Sequence, residues 1–172
     1  MWKVAIIGAL FWLIGGRNAE ACSFIVPKHE LDATEQRLDH QPPGQVVATL
    51  VSIGRGRAPG PNANSCDDLG TIRIELLRFE DDRTPQEKLG YVVKLAEGTL
   101  PEHWLLQDTP YRILPDRDGR LRFTLVWIDG ATDEQEPIDF SLVVSAVDLA
   151  GNEGPPSLPI RIRHPGGTRN AQ

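Results

Sequence analysis

A chain of 172 residues with 18 basic and 24 acidic side chains carries a formal charge of −6, a balance that argues against nucleic acid as a partner. Sixteen glycines and fourteen prolines interrupt it too often for long helices and favour short elements joined by turns. With an N-terminal leader set aside, about 150 residues remain, enough for one domain with a sizeable core.

The leader comes first. Lys3 precedes an apolar run over residues 4–14, followed by Gly15, Gly16 and the small-residue pattern Ala19, Glu20, Ala21. Charged, hydrophobic and cleavage regions in that order make a secretory signal peptide, so residues 1–21 are expected to be removed by cleavage after Ala21. The apolar run is about a dozen residues long where a bilayer span needs roughly 20, and no transmembrane segment is expected after cleavage. The expected location is secreted or periplasmic.

Cleavage would leave Cys22 at the new N-terminus, where bacterial lipoproteins carry a lipidated cysteine. The match to their cleavage box is poor: Ala19 stands where Leu is wanted, and the charged Glu20 where a small residue is. The alternative is a disulfide with Cys66, the one other cysteine, in an oxidising compartment. Closing a loop of that length would stabilise the fold by about 4 kcal/mol in the chain-entropy model. It would tie residues 22–41, a polar arm with a short helical hint over 31–38, to the domain that follows.

That domain is expected over residues 42–164. Residues 46–53 form a β-branched first strand, ended by Gly54, Arg55, Gly56 and Arg57, and the loop through residue 68 is rich in Pro, Asn and Gly. Over 71–79, Ile72, Ile74 and Leu76 face one way and Arg73 and Glu75 the other. Residues 89–96 read as a third strand, and the pieces 103–107 and 111–114 around Pro110 as a broken edge strand. The turn at 116–119 has the Asp-Gly pair that supplies a positive φ. Over 121–128, Leu121, Phe123, Leu125 and Trp127 share a face. After an acidic loop, 129–137, the even positions Ile138, Phe140, Leu142, Val144 and Ala146 are apolar; Leu158, Ile160 and Ile162 then alternate with Arg161 and Arg163. Residues 165–172 read as a disordered tail. About seven short strands at this spacing, with no glycine-rich phosphate loop, predict an all-β antiparallel sandwich of immunoglobulin-like type. A small barrel or a jelly roll has the same periodicity.

The run FSLVVSAVDLAGNEGPPS, from Phe140 to Ser157, resembles the penultimate strand and following loop of a fibronectin type III domain, and GYVVKLAEG, from Gly90 to Gly98, is similar to the third strand of that family. Phe140 stands where the family usually has a tyrosine, and its second-strand tryptophan is absent from 71–79. The resemblance implies a non-catalytic extracellular module for adhesion, spacing or contact with protein or carbohydrate. The family's Arg-Gly-Asp tripeptide is missing from the last loop. The superficially similar Arg55-Gly56-Arg57 reads as a solvated loop, with Arg55 and Arg57 kept as possible binding residues.

Catalytic chemistry finds little footing. His29, His40, His103 and His164 sit in no recognisable motif, and Gly-x-Ser-x-Gly is absent. Zinc spacing is absent too, and no cofactor is expected. Among metals calcium has the best claim, through Asp116 and Asp118 in an Asp-x-Asp-Gly fragment, although the ligand set is incomplete. Trp104, beside His103 in a proline-flanked segment, is a candidate for a surface contact. The expected function is therefore an exported, non-enzymatic module contacting an extracellular or envelope protein or carbohydrate. The rival is a small secreted hydrolase or protease inhibitor acting through loops 54–68 or 129–137.

Overall fold

The computed structural model describes residues 27–57, 66–77, 81–102, 104, 107, 109–130 and 135–167. The expected signal peptide, and Cys22 with it, lie outside them. The fold is all-β: seven antiparallel strands in two sheets, one of them curled into a half-barrel. Strands β1 (Ala48–Gly54), β2 (Leu69–Leu76) and β5 (Leu121–Ile128) form one sheet in the order β1-β2-β5. Strands β3 (Gly90–Gly98), β4 (Tyr111–Arg112), β6 (Ile138–Val147) and β7 (Ile160–His164) form the other in the order β4-β3-β6-β7. The chain changes sheet three times, between β2 and β3, β4 and β5, and β5 and β6.

Period-two alternation accounts for most of this. In β2, Ile72, Ile74 and Leu76 are buried while Arg73 is exposed, and in register across the ladder Leu121, Leu125 and Trp127 of β5 point into the same core. Phe140, Leu142, Val144 and Tyr91 answer from the other sheet. Each such side chain contributes roughly 1.5–3 kcal/mol on burial. Gly70 belongs to this packing, since a Cβ there would stand 2.2 Å from the Trp127 indole.

Three elements depart from the expectation. The edge segment around Pro110 keeps only two ladder residues, Tyr111 and Arg112, and Trp104 makes a single bridge to Trp127. β7 starts at Ile160 and not at residue 158; Ser157 donates its N–H to the Val144 carbonyl and accepts the Val144 N–H on its hydroxyl, and Leu158 stands out 78 % exposed. β6 is buried on both faces along most of its length, Ser141 and Ser145 included, and the irregular stretch before β7 pairs with its second half through Glu153, Gly154 and Ser157.

The arm is part of the fold. Lys28 bridges Tyr111, and the Pro27 carbonyl accepts the Arg112 N–H, so the arm extends the β4 edge. A one-turn helix, α1 (Glu35–Leu38), follows an Asp32 carboxylate that accepts the N–H groups of Thr34 and Glu35. The arm then runs along the β6–β7 loop: Asp32 N–H donates to the Leu149 carbonyl, Asn152 Nδ2 to the Asp39 carbonyl, and Gln45 Nε2 to the Pro156 carbonyl. At the far terminus the chain stays fastened past β7, since Gly167 N–H donates to the Gln135 carbonyl.

Candidate functional site

The end of the sandwich where β1, β3, β5 and β7 finish and β2 and β6 begin carries both loops singled out in the sequence. Gly54 ends β1, and the next residue turns inward. Arg55 Nε and Nη2 reach Asp129 Oδ2 and Oδ1 at 2.8 and 2.7 Å, a two-pronged pair whose side chains are only 8 % and 4 % exposed. Arg55 also donates to the Glu136 carbonyl at 3.0 Å and lies 3.1 Å from His164 Nδ1. The same His164 nitrogen faces the Gly166 N–H at 3.2 Å, so with two donors aimed at it the neutral ring must carry its proton on Nε2.

Asp129 is saturated. Besides Arg55 it accepts from Gly56 N–H at 2.8 Å and Trp127 Nε1 at 3.0 Å, which fills the four acceptor positions of a carboxylate. Burial alone would raise its pKa, but the hydrogen bonds from Arg55, Gly56 and Trp127 and the guanidinium charge together hold it below the ordinary value. Gln135 completes the seam, donating to the carbonyls of Gly56 and Gly130. The described ends of the two loops, residues 54–57 and 129–130 with Gln135, are thus bonded together, and beside them opens a cleft of about 470 Å³ walled by Leu100, Pro101, Ile128 and Pro137, with Glu102 and Glu136 among its polar groups.

The candidate residues sort differently in space. Arg55, expected in a solvated loop, is interior: its fork matches a carboxylate that the sequence places 74 residues away. Arg57 is exposed, with its N–H donating to the Asp67 carbonyl. Trp104 is half-buried, stacked on Trp127 at 5.7 Å and 17° and edge-on to Phe140 at 5.7 Å, so most of its surface is spent on packing. Trp127 fills the core as expected.

Asp116 closes its own turn. Its Oδ1 accepts the N–H groups of Asp118 and Arg120, both at 2.9 Å, its Oδ2 lies 3.2 Å from Arg122 Nη1, and Gly119 takes φ +72°. Those bonds, the Arg120 N–H first, lower its pKa. Asp118 is exposed beside it. Cys66 lies in a turn before β2, and no described cysteine is free; the expected pairing with Cys22 falls outside the described residues.

At the opposite end the carboxylates of Asp39, Asp81 and Asp82 converge, with one oxygen from each within 4.8 Å of the others. Asp81 and Asp82 are loop carboxylates of the kind calcium prefers, while Asp39 carries no sequence signal beyond its place in a polar arm. No protein-family model matches the chain, and no curated protein matches it.

Proposed function

We propose that the chain is an exported, non-catalytic β-sandwich module of the fibronectin type III-like, immunoglobulin-like class, which contacts a protein or carbohydrate or forms part of the cell envelope. The observation that carries this reading is the strand order: first, second and fifth strands in one sheet, and third, fourth, sixth and seventh in the other, reached by crossings between sheets. The use of polar groups supports it. Arg55, Asp129 and His164 are engaged with one another or with backbone, and His29 Nε2 lies 2.8 Å from the Asp148 carbonyl. Export, removal of residues 1–21 and a Cys22–Cys66 bridge belong to the same proposal, with lipidation of Cys22 as the competing fate.

Contact is assigned to the cleft end, where two loops are braced by a buried ion pair and present Arg57 and Glu136 outward. The β6–β7 loop, which carries adhesive contacts in the family resembled, is here hydrogen-bonded to the arm through Asn152 and Pro156. The bonds from Gln135 to Gly56 and Gly130, which tie the bases of the two loops, also favour the second reading, an inhibitor that offers a loop held at its base to a protease.

The test uses the exported protein with a photo-crosslinking residue at position 57 or 136. Intact mass in oxidising and reducing conditions identifies the state of Cys22. Capture of one defined partner from the exporting cell's envelope or medium, through those positions and not through one on the outer face of β2 such as 73, supports the module. Turnover of ester, peptide or glycoside substrates that is lost on changing cleft residues overturns it, and saturable inhibition of a protease selects the second reading.

A further inference from the structure

The acidic cluster at the arm end has an unbalanced account. Asp39 is 2 % exposed; its Oδ1 accepts the Gln41 N–H at 3.0 Å, while its Oδ2 is fully buried and has no hydrogen-bond partner among the described residues. A carboxylate oxygen held away from water without a donor calls for a cation or a bound solvent molecule. Two more carboxylates stand against it. Asp81 Oδ2 accepts the N–H groups of Arg83 and Thr84, at 3.4 and 2.7 Å, which fixes its direction, and Asp82 is exposed beside it.

Arg83 is the neighbouring counter-ion; its Nε donates to Glu35 at 2.9 Å, so its charge is shared between Glu35 and the cluster. The Glu35 hydrogen bond is the chief reason its own pKa is raised, with Asp39 and Asp82 adding a lesser attraction. Three carboxylates share one neighbouring guanidinium with Glu35 and face one another across at most 4.8 Å, no farther than two oxygens of one calcium shell, which stand about 2.3–2.6 Å from the ion.

The geometry points to a calcium site in which Asp39, from the arm, and Asp81 and Asp82, from the β2–β3 loop, are the protein ligands. Calcium suits them better than magnesium, which is usually held by one or two carboxylates and keeps its water, whereas three carboxylates on irregular chain, one at the surface, fit a larger ion that completes its shell with solvent. The consequence is mechanical. Asp39 follows α1 and its carbonyl accepts from Asn152, while Thr84, two residues past Asp82, accepts the Leu149 N–H on its hydroxyl. An ion between them joins the arm, the β2–β3 loop and the β6–β7 loop at one point. This site is separate from the cleft and does not depend on the function proposed for it.

The full chain, stripped of metal with a chelator, is titrated with calcium chloride and separately with magnesium chloride, and binding is followed by calorimetry and by the thermal midpoint. One saturable calcium site per chain is expected, in the range of extracellular modules, about 10⁻⁴–10⁻³ M, with a rise of several degrees in the midpoint and slower proteolysis of residues 27–45. Asp82→Asn, which removes one of the facing charges on an exposed side chain, should weaken calcium at least tenfold while leaving the metal-free midpoint no lower; Asp39→Asn should abolish binding, and Asp118→Asn should bind as the unaltered chain does. Absence of saturable binding up to about 10 mM, or equal affinity in Asp82→Asn, overturns the site.

Discussion

The indole N–H of Trp127 donates at 3.0 Å to the carboxylate of Asp129, two residues on, so the largest side chain of the core and the anion of the buried ion pair are held as one unit. Packing of the core thereby sets the direction of the group that Arg55 must find.

Removing one member of that pair leaves the other buried and uncompensated. Asp129→Ala is expected to cost about 3–5 kcal/mol, measured as a drop in the urea midpoint at unchanged slope. Arg57→Ala, one residue beyond Gly56 but exposed, should stay within about 0.5 kcal/mol. Equal effects of the two substitutions would mean that Arg55 is not interior.

Acid should act through the same carboxylate. The pKa of Asp129 is depressed in the fold, so its contribution is complete above the unfolded carboxylate value, about 4, and is lost as pH falls through the lower folded value. Unfolding midpoints taken from neutral pH downwards should fall more steeply for the unaltered chain than for Asp129→Asn, whose amide takes up no proton as the pH falls. Parallel curves would contradict the assignment.

Alkali should act through Tyr91. Burial pushes its hydroxyl from 10.0 up to about 12, with Gln86 pulling slightly the other way. Its proton is retained in the fold after the unfolded chain has lost it, so stability holds below pH 10 and declines as pH rises towards 12, by about 3 kcal/mol in all. Tyr91→Phe should flatten that decline and cost no more than about 1 kcal/mol at neutral pH, because Gln86 lies near the hydroxyl without a well-formed hydrogen bond to it. Phenolate absorbance against pH, read beside circular dichroism, checks both points.

The seam between arm and loop rests on a missing side chain. A Cβ on Gly154 would sit 2.3 Å from the Pro43 carbonyl oxygen, a rigid neighbour, whereas one on Gly119 would meet nothing within 4 Å and incur only the strain of a positive φ. Gly154→Ala should lose about 1–3 kcal/mol and speed proteolysis of residues 27–45. Gly119→Ala should cost about 1–2 kcal/mol and leave the arm protected.

The strands were legible because their signal is local. Alternation over 121–128 foretold β5 to the residue, and the even positions of β6 foretold half of its burial. The rest of β6 was not legible, since Ser141 and Ser145 are buried although polar, and the pairing of residues 153–157 with the strand joins segments that no window along it contains. Arg55 shows the same limit. Glycine on either side makes it look like loop chemistry, and nothing nearby in the chain announces Asp129.

By itself the amino-acid order determined an all-β chain of about seven strands, the faces they bury and the turn at Gly119, because each depends on neighbours two to four residues apart. Only the tertiary structure decided that Arg55 is interior, that the arm is sewn to the β6–β7 loop, and that Asp39 meets Asp81 and Asp82. Those contacts join groups dozens of residues apart, and their energy comes from desolvation and hydrogen-bond geometry, which exist only once the sheets have closed.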